Sequence, residues 1–441
     1  MSPEDRAKLG SLGRALRHRN YRLFFIGQGT SLIGTWLTRV AMSWLVYRLT
    51  GSTVLLGLVA FAGQLPTFLL APLGGVLVDR WNRHRVLVVT QVLAMLQSGL
   101  LAFFALTHTV TIWHVLVLAS VQGLINAFDT PARQSFVVEM IESRDDLPNA
   151  IALNSSMVNG ARLIGPSVAG VLIAAVGEGW CFAIDAISYA AVIASLVAMR
   201  LRPTAPRAGE RKHLFVELRE GFRYAASYGP IRDILILLAV VSLTGMPYTV
   251  LMPVFASQVL HGGAHTLGFL MAASGIGALV GALWLAARTT VLGLGRVIVL
   301  SALLFGAGLV AFALSHWLAL SLALMVIVGA GMMVQMAASN TVLQTVTDED
   351  KRGRVMSLYT MAFFGMAPFG SLLAGWLGAR IGAAATVAGG GVVTVVAGFL
   401  FARRLPALRA AARPVYQRLG ILPEIATGLS LSTDVTSAPE P

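Results

Sequence analysis

Charge is scarce in this chain. Of its 441 residues 12% are Asp, Glu, Lys or Arg, and 56% are hydrophobic, where soluble domains carry about 25% charged residues. A water-facing surface on a chain of this length would need more polar cover. Lipid is therefore the expected covering, and the apolar stretches must be helices, each satisfying its own backbone polar groups. Cysteine is nearly absent too. Cys181 stands alone, which excludes an intrachain disulfide, a thiolate metal site and a CxxC redox pair; it reads as a small apolar filler. The phosphate-cradling GxxxxGK[ST] run is missing, so ATP drive within this chain is not expected. HExxH is missing as well. The eight histidines (His18, His84, His108, His114, His213, His261, His265 and His316) fall in loops or near the ends of apolar runs. No catalytic constellation or metal site results, so neither an enzyme nor a bound cofactor is expected. Residues 1–20 are basic but lack an apolar core and a small-residue cleavage site, so no removable signal peptide is expected.

Apolar length is abundant. Segments of about 20 residues, the length that crosses a bilayer, cover 22–47, 53–78, 86–107, 112–135, 148–176, 180–200, 231–258, 266–287, 295–314, 317–343, 354–378 and 383–402. With twelve spans and the N-terminus inside, the inner segments collect Arg80, Arg83 and Arg85, the run from Arg200 to Arg223, Lys351 and Arg352, and Arg403 to Arg418. The outer loops hold only Arg48 and Arg380. This is the positive-inside asymmetry. The net charge of +13 is thereby a topology signal with both termini cytoplasmic, and nucleic-acid binding has no support. The expected division is a cytoplasmic segment 1–20, a six-helix bundle 21–200, a central cytoplasmic loop 201–230, a second six-helix bundle 231–404, and a cytoplasmic tail 405–441 expected to be disordered. The halves echo each other weakly. The segment NAIALNSS at 149–156, after ESRDD, aligns with GRVMSLYT at 353–360, after TDEDK, and each runs into a proline-bearing helix. Parallel repeats of this kind place a substrate site at their interface.

Residues 74–85 read GGVLVDRWNRHR. Gly74 and Gly75 permit close helix approach. Asp79, at a helix end, can accept from neighbouring arginines or face the positive end of another helix, a clasp that would hold the inner face shut. The spacing G-x-x-x-D-R-x-x-R, carried by Gly75, Asp79, Arg80 and Arg83, resembles the loop motif of the major facilitator superfamily; Asn82 stands where a glycine is usual. Span five carries GARLIGPSVAG (160–170), which is similar to the superfamily's antiporter motif through Gly160, Gly165, Pro166 and Gly170, with Ala169 in the place of a glycine. The proline is expected to kink or loosen that helix. A third motif is half present, as Gln122-Gly123 with Ala119 in the arginine place. The stretches NYRLFFIGQGTSLIGTWLTRVAMSWLVYRLTGS and AFDTPARQSFVVEMI resemble the bacterial branch of enterobactin exporters and macrolide-efflux proteins. Thr35 stands where that branch often has an acid.

The resemblance implies an all-α integral membrane fold of twelve helices in two pseudo-symmetric bundles. It implies a monomeric transporter of the bacterial plasma membrane, exporting drug-, macrolide- or siderophore-like small molecules by alternating access, with protons as the coupling ion. A metabolite importer or facilitator of the same fold is the alternative, and a non-transporting membrane protein a more distant one.

Ionisable groups inside spans are costly and mark sites. Arg39 and Asp185 lie at similar depths and are expected to pair, for structure or for function. Arg162, near the middle of span five, either faces the cavity and attracts an anionic or catecholic substrate or bonds to carbonyls freed by Pro166. Asp129, with Arg133 one turn on, either joins the Asp79 and Arg83 cluster or caps its helix. Asp129 and Asp185 are the two acids well inside spans and so the candidate proton carriers. Gln28, Gln64, Asn126, Asn154, Gln335 and Asn340 are expected to line the cavity or to bond between helices. Gly277 and Gly281 are expected to be packing contacts.

Overall fold

The computed structural model describes residues 13–200, 223–288, 290–349 and 351–418, with the side chains of Asp79 and Arg144 outside the description. Twelve long helical spans follow a short 3-10 turn, Arg14–Arg17: α1 Arg19–Thr50, α2 Thr53–Arg80, α3 Arg83–Leu106, α4 Ile112–Phe136, α5 Leu147–Val176 and α6 Glu178–Val197. Then come α7, spanning Gly229–Val259, α8 Ala264–Ala286, α9 Leu294–Ala313, α10 Leu318–Val346, α11, spanning Arg352–Ile381, and α12 Ala383–Arg418. Eleven of these are long and apolar enough to cross a membrane, and α1 is not among them. The reason is its content of Gln28, Thr30, Ser31, Thr35, Thr38 and Arg39. It sits between α5 and α6, so protein rather than lipid meets much of that polar surface.

Local chemistry starts and stops the helices. Ser52 accepts from the backbone N–H of Leu55 to start α2, and Thr111 with His114 forms a reciprocal capping box on α4, the side-chain oxygens replacing absent helical acceptors. Asn82 accepts from Arg85 N at 3.0 Å to start α3. It is a cap with ordinary extended backbone, so it does not stand in for a left-handed glycine. Gly177 and Gly382 each form the single-residue link between the fifth and sixth helix of a half, at φ 89° and 87°, a conformation that glycine adopts at no steric cost.

Helix α5 runs continuously through Pro166. The irregularities lie in the second half. π-helical turns interrupt α7 at Val241–Gly245 and Phe255–Val259 and α11 at Met361–Gly365, and the Ser242 hydroxyl on α7 donates to the Phe363 carbonyl on α11. The tail also departs from expectation. From 405 to Arg418 the chain continues α12, burying Leu405, Leu408 and Ala412 and accepting at the Ala411 carbonyl from the Tyr228 hydroxyl at 3.0 Å. Residues 419–441, like 1–12 and most of the central connection, lie outside the described residues.

The two halves meet along two seams, α5 against α8 and α2 against α11. Each is the second helix of one half on the fifth of the other, as a two-fold repeat requires. At the end of the seams remote from the termini, backbones touch. A Cβ on Gly170 would lie 2.9 Å from Gly268 Cα, and one on Gly375 2.9 Å from Gly57 Cα. The Thr53 hydroxyl donates to the Gly375 carbonyl at 3.0 Å. The seams continue to mid-depth, where Gly275 meets the Arg162 carbonyl and the Phe68 ring lies on Gly365. Beyond those points, towards the face bearing the termini, no glycine contact joins the halves among the described residues, and Leu73 and Ile151 are more than half exposed at 52% and 56%. The halves are thus closed on one face and part on the other.

Candidate functional site

At mid-depth, where the seams give way to the opening, α1 and α5 present two arginines to one indole. The Arg39 guanidinium carbon lies 4.9 Å from the Trp36 ring centroid and that of Arg162 5.8 Å. The Arg39 side chain is exposed and feels the charge of Arg162. Gly165 packs on the Trp36 side chain, which fixes the ring. From the second half, Tyr248 on α7 lies within reach of the Arg162 charge, and its hydroxyl shares a 2.9 Å hydrogen bond with Ser274 on α8. Both bundles therefore build the site.

Arg39 does not pair with Asp185. The carboxylate Oδ2 accepts from Thr38 on α1 and Ser98 on α3, each at 2.8 Å, while Oδ1 is buried without a hydrogen bond. Equal depth brought the right helices together but the wrong residue, because Thr38 faces Asp185 and Arg39 lies over Trp36. Arg162 makes no hydrogen bond to the carbonyls near Pro166 among the described residues; it lies over Trp36.

Asp129 is 3% exposed. It accepts from Thr90 at 3.0 Å and Gln91 at 2.7 Å, both on α3, and from Arg133 at 2.5 Å. Tyr189 lies within electrostatic reach of Asp185, Asp129 and Arg133. The expected union of Asp129 with Arg83 is not what these contacts make. Arg83 donates to Glu139 Oε1 at 2.7 Å, just past α4, a partner the motif does not name. Arg80 ends α2 exposed, and the Asp79 side chain lies outside the described residues. The close approach of α2 to α4 falls to Gly74, against the Ala127 carbonyl; Gly75 meets nothing within 4 Å, nor does Gly160. In the α5 motif, Gly165 and Gly170 do the packing, and the Pro166 carbonyl meets Gly268.

The neutral polar residues divide. Gln64 donates to the Ala60 carbonyl, and Asn126 accepts from Gln122, each within its own helix. Asn340 accepts from Gln344 on its own helix, and the Tyr359 hydroxyl donates to the Met336 carbonyl. Gln28 is buried, Asn154 half-buried, and Gln335 fully buried with neither amide atom hydrogen-bonded. Gly277 and Gly281 pack α8 on α10. Sequence reasoning missed Trp36, although its i, i+3 spacing from Arg39 puts them on one helix face, and it missed Gln91, Ser98 and Tyr248, which nothing in their local sequence marks.

On the closed face Arg48 grips Glu178 with two bonds, 2.7 and 3.2 Å, tying the end of α1 to the start of α6. Arg48 is 53% exposed, so the pair is screened. Glu178→Gln is expected to cost no more than about 1 kcal/mol, read as a small drop in the thermal unfolding midpoint of the purified protein.

The family model described as transmembrane secretion effector matches residues 12–426. The chain belongs to this family of the major facilitator superfamily. It is a multi-pass membrane transporter, not an enzyme. Among curated relatives, the staphyloferrin A transporter of Staphylococcus aureus is 26% identical over 80% of this chain and 88% of its own length. The multidrug efflux pump Tap of Mycolicibacterium fortuitum is 28% identical over 81% and 88%, and the enterobactin exporter EntS of Shigella boydii 26% over 89% and 93%. Among solved structures, the inward-facing, unoccupied bacterial homologue of the lysosomal transporter Spinster superposes with a TM-score of 0.67 at 14% identity, covering 91% of this chain and 98% of that one. A peptide transporter POT with sulfate gives 0.71 at 12%, covering 89% and 95%. Both show the all-helical superfamily fold.

Proposed function

We propose that this protein exports small organic molecules from a bacterial cell as a monomer in the plasma membrane. Both termini lie in the cytoplasm, and the two bundles alternate access to the central cavity. The observation that carries this reading is the pair of symmetric seams, closed through glycines on one face and parted on the other. The basic segments flank the parted face, and the positive-inside asymmetry supports a cytoplasmic location for it. The names of the efflux and export relatives support the outward direction.

Inward proton flow supplies the drive. Asp185 is the carrier, since its Oδ1 can take a proton without displacing any partner. Tyr189 and the Asp129 cluster lie on the route from it towards the cytoplasm. Asp79, Arg80 and Arg83, with Glu139, form the latch that closes the cytoplasmic side in the opposite state, and α5 with Gly165, Pro166 and Gly170 is the spine on which the halves turn.

Inside-out vesicles test this. Vesicles from cells overproducing the protein are expected to accumulate cargo when the lumen is acidified, and to lose it on adding a protonophore. A panel of macrolides, dyes and organic acids serves as cargo. Accumulation by right-side-out vesicles instead identifies an importer, and no protonophore effect removes proton coupling.

A further inference from the structure

Among the described residues of the first half several arginines are held by acids: Arg14 by Asp146, Arg48 by Glu178, Arg83 by Glu139, Arg133 by Asp129. Arg39 and Arg162 have no carboxylate within ion-pair distance. They lie on the same indole, at 4.9 and 5.8 Å, and feel each other's charge. Two like charges at membrane depth repel, and arginine does not shed its proton to relieve the repulsion. The Trp36 ring face offsets part of this cost, but an indole carries no net charge. Asp185, on α6, is turned away to Thr38 and Ser98.

From this geometry we infer that Arg39 and Arg162 form the cargo's anion site, and that the cargo is an organic anion bearing carboxylate oxygens. This rests on the export reading and narrows it. A guanidinium presents paired donors to two oxygens at once, and two guanidiniums beside each other suit a molecule with more than one anionic group. Tyr248 and Ser274, from the other bundle, share a hydrogen bond within electrostatic reach of Arg162, and Gly275 meets the Arg162 backbone. Arg39 is exposed, and like-charge repulsion between the two guanidiniums disfavours cationic drugs by the same physics that favours anions.

The test is equilibrium binding to the purified full chain in lipid nanodiscs at low salt. The probes are citrate, salicylate, the uncharged salicylamide and the cationic erythromycin. Citrate or salicylate is expected to bind at least about tenfold more tightly than salicylamide. Arg39→Gln and Arg162→Gln are each expected to lower that affinity by about tenfold or more, with the lysine variants retaining part of it. If the arginines serve only to hold Trp36, the glutamine variants lose thermal stability while anion binding stays unchanged, and the inference is overturned. It is equally overturned if the wild-type chain binds erythromycin and neither anion. Should a glutamine variant fail to fold, the preference of the wild-type chain between salicylate and salicylamide still decides. Vesicle transport of any cargo separates the two claims: export of a cation without anion binding removes the anion site and leaves the exporter, whereas anion binding without any transport removes the exporter.

Discussion

Gly170→Leu and Gly57→Leu should each abolish export while leaving a folded protein in the membrane. A Cβ at Gly170 would lie 2.8 Å from the Ala264 carbonyl oxygen and 2.9 Å from Gly268 Cα, and one at Gly57 3.0 Å from Gly375 Cα. In every case the obstacle is backbone of the other bundle, which cannot swing aside as a side chain can. The halves must separate on the closed face, or that closure is lost. Overpacking of this kind costs about 1–3 kcal/mol, against a difference between transporter states of a few kcal/mol. The population of the state closed on that face should therefore fall by roughly tenfold or more. Two measurements check it: export in inside-out vesicles, and maleimide labelling of Thr53→Cys in a Cys181→Ala background, which should rise when the seam opens. Gly160→Leu is the control. It lies in the same motif on the same helix, yet nothing approaches it within 4 Å, so export should survive. Equal loss in Gly160→Leu would show that bulk anywhere on α5 is damaging and that the seam has no special part.

The membrane fold was readable because span limits are written in short-range chemistry. Ser52, Asn82 and Thr111 each sit one residue before a helix and cap it, and the apolar runs between such signals are long. Two places misled. The stretch 405–418 is rich in Arg and Ala with Pro406 and Pro414, and so reads as a soluble tail; its helix is made by tertiary burial of Leu405, Leu408 and Ala412, which composition cannot show. The π turns of α7 and α11 have no local signature, since Val241–Gly245 and Met361–Gly365 are ordinary apolar residues. The site was half legible. Depth along a helix can be counted from sequence, and it put Arg39 and Asp185 at similar levels and Arg162 near the middle of its span. Azimuth cannot be counted without knowing the neighbours: successive residues point about 100° apart, and that single step turns Thr38 to Asp185 and Arg39 to Trp36. The same blindness hid Gln91 and Ser98, whose value comes only from the acids they meet on α4 and α6.

The two buried acids should respond in opposite ways to loss of charge. Asp185→Asn keeps an amide oxygen to accept from Thr38 and Ser98. Its NH2 takes the place of Oδ1, which has no partner to lose. Folding should be little affected, while proton-driven accumulation in inside-out vesicles should fall by about a hundredfold, to the level without a gradient. Counterflow exchange of cargo, which needs no net proton movement, should persist. Asp129→Asn instead exchanges a carboxylate for an amide against Arg133, at 2.5 Å, and against the donors Thr90 and Gln91. Because Arg133 is 27% exposed, water compensates part of the loss, and the cost should be about 1–3 kcal/mol. That cost is measurable as a lower unfolding midpoint, with proton-driven transport retained in whatever protein remains folded. If the two phenotypes are exchanged, the proton is carried on Asp129 and Asp185 is scaffolding. If Asp185→Asn loses both exchange and proton-driven uptake, the carboxylate is needed for the conformational cycle itself, and coupling must be sought in the hydroxyl-rich surroundings of Tyr189 rather than in either acid.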